Sequence, residues 1–406
     1  MKYIEGGVCA AKGFRANGIH CGIRKNKTKR DLSLIVSDVP ASAAGVYTTN
    51  LVKGAPLIVT RSHVRKGKIS AIICNSGNAN TCNSNGAEVA LETCRELAAR
   101  LGTSEDEIAV ASTGVIGLPM STEPIINGMK ELIGGLSGSA AGSSFAAEGI
   151  MTTDTVKKEV AVEFELGGKT CRIGGIAKGS GMIHPNMATM LVFITSDVSI
   201  TPDALQSSLS GDVTDTFNMI SVDGDTSTND MVLVLSNGAA GNPEISGEGE
   251  DLTRFREALR AVTSRLCRMI ASDGEGSTKL LECCAHGAKD DETARTAAKS
   301  VICSSLLKAA MFGADANWGR VLCAIGYSGA DVDVNSVGIA FESKAGRIVV
   351  CENGLGVDFS EELAKKILLE QEITIDVSLG NGDGKATAWG CDLTYDYVKI
   401  NGDYRT

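Results

Sequence analysis

The sequence predicts an α+β fold of layered sheets and helices, and three observations lead to it. Short β-branched, apolar runs and amphipathic helices follow one another with hairpin signals between strands, which fits segregated layers better than a doubly wound parallel sheet. Glycine is abundant, 47 of 406 residues against 7 prolines and 4% aromatic residues, so many backbone positions are tight turns or close approaches. No Gly-X-Y period runs through the chain, and 43% hydrophobic residues supply the apolar surface that offsets chain entropy, excluding a collagen-like or disordered polypeptide.

Taken in order, residues 32–39 (LSLIVSDV), 68–75 (KISAIICN) and 107–112 (EIAVAS) are β-branched, apolar and bounded by turn residues, and read as strands. Residues 87–101 carry apolar side chains at helical spacing, and Gly102 closes that helix. Period-two alternation over 159–166 (EVAVEFEL) leads through Gly167 and Gly168 into KTCRIGGIAKG, a hairpin. In the second half, 189–198 (TMLVFITSDV) and 231–237 (MVLVLSN) are strands and 202–209 is a short helix. Residues 241–250 form a loop, and 252–271 and 293–312 are amphipathic helices. Towards the end, GRIVVCENG, EITIDVSLG and KATAWGCDLTYDYVKIN are expected as strands around a helix at 361–370. There is no internal repeat and no low-complexity tract.

The formal charge of −10 and the absence of any long basic run argue against a nucleic-acid partner; Lys25 to Arg30 (KNKTKR) reads as a solvated loop. No apolar run approaches the ~18 residues of a membrane helix, and MKYIEGGVCAAKGF lacks the apolar core of a secretory signal, so a cytoplasmic location is expected. The 13 cysteines include no C-x-x-C pair. The four histidines, His20, His63, His184 and His286, form no zinc-type set, so buried reduced thiols and no metal site are expected.

Neither a phosphate-binding G-x-x-x-x-G-K-[ST] loop nor a G-x-S-x-G elbow occurs. NSGNAN (Asn75 to Asn80) and DGDTSTND (Asp223 to Asp230) are polar turns after apolar strands, a usual place for function, but each also reads as a turn held by its own side chains. The segment KGSGMIHPNMATMLVF from Lys178 to Phe193 is chemically more specific. A Gly-Ser-Gly stretch passes through the Pro185 bend to Ala188 and Thr189, and an apolar strand begins at once. A threonine so placed can attack the preceding carbonyl and cut the chain by an N→O acyl shift. The new N-terminal threonine then carries nucleophile and base together, because an α-amino group with a pKa of ~8 can take the hydroxyl proton.

KGSGMIHPNMATML closely resembles the self-cleavage segment of the ornithine acetyltransferases, or bifunctional glutamate N-acetyltransferases, of arginine biosynthesis. The resemblance extends through NSGNAN, ASTGVIG (Ala111 to Gly117), GIMTTDT (Gly149 to Thr155), SVDGDTSTND, SDGEGSTK (Ser272 to Lys279), KAAMFGADANWGR (Lys308 to Arg320) and the terminal NGDYRT. It implies the layered α+β fold of the self-processing ornithine acetyltransferase and β-peptidyl-aminopeptidase type. It further implies cleavage between Ala188 and Thr189 into an alpha chain, 1–188, and a beta chain, 189–406, assembled as two of each. Thr189 matches the nucleophile, and Thr113 and Gly114 match the oxyanion hole. Thr152, Lys178, Thr189, Glu275, Asn401 and Thr406 match substrate-binding positions, with Thr153 and Thr155 as neighbours of the first.

The implied reaction is a ping-pong transfer of the acetyl group of N2-acetylornithine through acetyl-Thr189 to glutamate, without a cofactor. Acetyl-CoA is left open as a second acetyl donor. As an expectation, Lys178 holds the α-carboxylate shared by the substrates and Glu275 lies towards an amino group, while His184 is structural. Two alternatives stand beside this: a self-processing β-peptidyl-type aminopeptidase, and an uncleaved amino-acid-binding protein.

Overall fold

The computed structural model describes residues 1–184 and 190–403, and the α+β layering is present. The first sheet contains β1 (Lys2–Ile4), β2 (Phe14–Ile19), β3 (Leu32–Tyr47), β4 (Lys68–Asn78), β5 (Ile108–Val115), β6 (Lys158–Leu166), β7 (Lys169–Lys178), β8 (Leu191–Ser196) and β10 (Met231–Ser236). Its order is β1-β6-β7-β8-β10-β3-β4-β5, with β2 added to β3. The second sheet contains β9 (Ile220–Ser221), β11 (Leu280–Ala288), β12 (Gly338–Ser343), β13 (Gly346–Glu352), β14 (Leu355–Gly356), β15 (Glu372–Ser378) and β16 (Gly384–Cys391), in the order β14-β13-β12-β15-β11-β16-β9.

Helices α1 (Ala55–Val64), α2 (Gly86–Leu101), α3 (Glu123–Gly134) and α4 (Ala140–Ile150) pack on the first sheet. Helices α5 (Pro202–Asp215) and α6 (Glu250–Ser272) pack on each other; α6 touches β6 and β7 of the first sheet and β11 and β16 of the second. Helices α7 (Asp291–Cys303), α8 (Ser305–Phe312), α9 (Trp318–Gly326), α10 (Glu361–Leu368) and α11 (Tyr395–Asp403) complete the second half. One apolar cluster, including Val192, Ile194, Leu259, Leu266, Ile302 and Ile375, runs from one sheet to the other, and two further clusters lie against the first sheet. The buried β-branched and leucine side chains of these segments explain why they form strands and packed helices.

The hairpin at β6 and β7 turns through Gly167 (φ +56°) and Gly168 (φ +71°), the left-handed pair a two-residue turn requires. Two sequence expectations are corrected. Residues 293–312 are two helices, not one: Ser304 is extended, and its hydroxyl accepts from Leu307 N at 3.3 Å, capping α8 and ending α7. The tail beyond Cys391 is not a strand. The Asp392 carboxylate accepts from Thr278 N (2.8 Å) and Lys279 N (3.0 Å), which draws the chain out of the sheet and lets 395–403 coil as α11.

Candidate active site

The ends of β4 and β5 form one edge of the site. They run parallel with Ser76 opposite Thr113 and Gly77 opposite Gly114, and the register shifts at Asn78. Gly114 has φ +131°, and a Cβ there would lie 2.7 Å from both Gly77 O and Asn78 N, so only glycine lets the two strands close here. Thr113 is buried. The NSGNAN turn is bonded through its own side chains: Asn75 Nδ2 donates to Asn78 O (2.9 Å), and Ser112 Oγ donates to Asn75 Oδ1 (2.6 Å). Ser76 Oγ reaches Gly149 O at 2.8 Å, joining this turn to the GIMTTDT segment.

The strand after the expected cut lies beside Lys178. Antiparallel pairing sets Lys178 opposite Leu191, two residues beyond Thr189, and parallel pairing sets Met231 opposite Leu191. Asn229, just ahead of β10, donates to Ser112 O (2.9 Å) and Ala79 O (2.5 Å), and Thr81 Oγ1 donates to Asn229 Oδ1 (2.6 Å). The DGDTSTND segment therefore ties the Thr113–Gly114 end of β5 to the neighbour of β8. Ala188, Thr189 and Thr406 lie outside the described residues.

A buried ion triad joins the GIMTTDT segment, the head of β6 and the SDGEGSTK segment. Lys158 has 0% side-chain exposure, and its Nζ lies 2.6 Å from Asp154 Oδ1 and 2.5 Å from Asp273 Oδ2. Asp154 also accepts from Thr152 N (3.0 Å) and Gly179 N (2.8 Å). Asp273 accepts from Thr155 N (3.1 Å) and from the Thr155 hydroxyl, which commits that threonine to structure and leaves the Thr152 and Thr153 hydroxyls as the alternatives in GIMTTDT. Burial alone would raise the Asp154 carboxyl, but the Lys158 and Lys178 cations together with the hydrogen bonds it accepts hold it below the usual range.

Glu275 is fixed from both sides. Its N donates to Ser180 O (3.0 Å), its carboxylate lies against Gly181 where a Cβ would collide with it, and Asn401 Nδ2 donates to Glu275 Oε2 at 2.8 Å. The expected pair Glu275 and Asn401 is thus a direct contact, and α11 brings the tail to the site. His184 is held by Ser221 Oγ (3.1 Å) and faces the Cys303 thiol (3.5 Å). Burial, with Lys299 nearby, pushes its pKa down to about 4, so it is neutral at working pH.

The sequence matches the ArgJ family over residues 15–406. The chain belongs to the ArgJ family. Arginine biosynthesis bifunctional protein ArgJ 1 of Clostridium acetobutylicum is 50% identical over 97% of this chain and 96% of its own. The ArgJ protein of Caldanaerobacter subterraneus is 48% identical over the full length of both. The crystal structure of the ArgJ protein from Bacillus halodurans is 46% identical, with a TM-score of 0.50, over 52% of this chain and 98% of that one.

Within this family member, sequence reasoning missed Asp154, Lys158, Asn229, Asp230 and Asp273. Four of them fall in motifs quoted for the resemblance, yet only position in space shows what they hold. Lys158 had one local signal, a lysine at the head of an apolar, alternating strand.

Proposed function

We propose that the chain is an N-terminal-nucleophile acyltransferase that moves the acetyl group of N2-acetylornithine to glutamate through an acetyl-Thr189 intermediate. The precursor cuts itself between Ala188 and Thr189. The Thr189 hydroxyl, with its own α-amino group as base, then attacks the acetyl carbonyl, and the Thr113 hydroxyl and Gly114 N–H stabilise the oxyanion. Ornithine leaves, and the amino group of glutamate takes the acetyl group. Lys178 holds the shared α-carboxylate, Glu275 with Asn401 faces the amino end, and Thr152 and Thr406 complete the pocket. The relatives' name as bifunctional proteins supports acetyl-CoA as a second donor.

The observation that carries this reading is the bonding of the Thr113–Gly114 strand end, through Asn229, to the strand beside the one that follows Thr189. The half-length match to the solved Bacillus halodurans chain supports the cut, since 218 of 406 residues follow Ala188. Assembly as two alpha and two beta chains belongs to the same reading. Kinetics of Lys178→Ala test the carboxylate role: KM is expected to rise for N-acetylornithine and glutamate alike, whereas an unchanged KM for both would remove it. Release of amines from peptides without acetyl transfer would favour the aminopeptidase alternative.

A further inference from the structure

The basic stretch from Arg24 to Arg30, in the connection between β2 and β3, plays no part in the transfer described above. Five of its seven residues are Arg or Lys and none is acidic, in a chain whose net charge is −10. Its anchorage sets it apart from an ordinary solvated loop. The buried Asp31 carboxylate is spent on backbone, accepting from Cys21 N (2.6 Å), Gly22 N (3.3 Å) and Arg24 N (2.9 Å). His20 Nδ1 lies 3.0 Å from Lys29 O, and Arg30 pairs with Glu148 (3.0 Å). Lys25, Lys27 and Lys29 are exposed, and none of them pairs with a carboxylate among the described residues.

The base of this loop rests on the acyl site. Asp31 O accepts from Ser76 N (2.9 Å), and a Cβ on Gly77 would lie 2.8 Å from Arg24 Cγ, so Arg24 packs on the residue that stands opposite Gly114. The Arg24 guanidinium bonds Met151 O, next to Thr152. Three exposed ammonium groups follow Arg24 within a few residues. In the proposed reaction the α-carboxylates of N-acetylornithine and glutamate already have Lys178. A donor whose charge sits on phosphates, separated from its acetyl thioester by a long neutral arm, needs cations set back from the oxyanion hole. An acidic protein must supply them locally.

We propose that Lys25, Lys27 and Lys29 bind the phosphate groups of acetyl-CoA. The phosphates rest on the loop while the thioester reaches the Thr113–Gly114 end of β5. The oxygen of the nucleophile takes the acetyl group, the C–S bond breaks, and the hydroxyl proton passes through the α-amino group to the sulfur, so that coenzyme A leaves as a thiol. The inference rests on the second-donor part of the acyl-transfer reading above.

The test compares three acetyl donors, each with glutamate: acetyl-CoA, S-acetylpantetheine, which keeps the thioester and arm without the phosphates, and N-acetylornithine. Each is assayed with wild type and with the triple variant Lys25→Gln, Lys27→Gln, Lys29→Gln. Wild type is expected to show a lower KM for acetyl-CoA than for S-acetylpantetheine. The triple variant is expected to raise the acetyl-CoA KM about 10-fold, the scale of three exposed charge contacts, and so to close most of that gap. It should also flatten the rise of that KM with added salt, and leave KM for the other two donors unchanged. An acetyl-CoA KM that the triple variant does not move would overturn the proposal. So would a KM that rises alike for all three donors, since that assigns the lysines to structure. Wild type that transfers from N-acetylornithine but not from acetyl-CoA would also overturn it, with the acetylornithine reaction left standing. Wild type that transfers from none of the three would sink the acyl-transfer reading itself, and the inference with it.

Discussion

At Gly114 the backbone has φ +131°, and a Cβ would meet Gly77 O and Asn78 N at 2.7 Å, so even alanine must push β5 from β4 at their shared end. Gly114→Ala is therefore expected to lower kcat by about 10²–10³, the range for loss of one oxyanion donor, in steady-state transfer assays. His184 carries a pH prediction. Its folded pKa lies near 4 against 6.5 for the free side chain, so below pH 6.5 the unfolded chain binds a proton that the folded chain does not. Stability is expected to fall as pH drops from 6.5 to about 4, and His184→Gln should flatten that slope in urea titrations. Thr189, Thr113 and Lys178 stand out as candidates in the sequence because they sit in ordered, recognisable motifs. The Asp230 Oδ2, which has no partner among the described residues, does not stand out there, because that is a property of the folded neighbourhood.

Among the elements, the buried Lys158 at the head of β6 bridges the 151–156 segment and the 273–276 turn through Asp154 and Asp273. Lys158→Met leaves Asp154 and Asp273 buried without their cation, so a loss of about 3–5 kcal/mol is expected in denaturant unfolding. The double variant Lys158→Met with Asp154→Asn is expected to recover part of it, since one uncompensated charge goes. KM should rise in the single variant because Thr152 and Gly179, next to Lys178, both bond Asp154. Strands with clear alternation, such as β6, and helices with an apolar stripe, such as α6, were read from sequence within a few residues. The break at Ser304 and the helical tail were not. A serine cap inside a continuous apolar stripe leaves the period intact, and Asp392 turns the tail by bonding residues 278 and 279, over a hundred positions away.

At the scale of the whole molecule, the proposed cut does not fall between structural units. β7 precedes it and β8 follows it, and the two are hydrogen-bonded neighbours in the first sheet, with β10 next in order. The 188-residue and 218-residue chains are therefore expected to stay together after cleavage, co-eluting in size-exclusion chromatography and separating only in denaturant. Among the described residues no helix is long and apolar enough to cross a membrane. The central claim is that Thr189 is released by cleavage and then carries the acetyl group. Intact-mass analysis of the purified protein, before and after mixing with N-acetylornithine alone, tests it most directly. The expected result is two chains split after Ala188, with one acetyl group gained on the 218-residue chain at Thr189, and one uncut, inactive chain for Thr189→Ala. An intact wild-type chain with full transferase activity, or an acetyl group carried on any other residue, would contradict it.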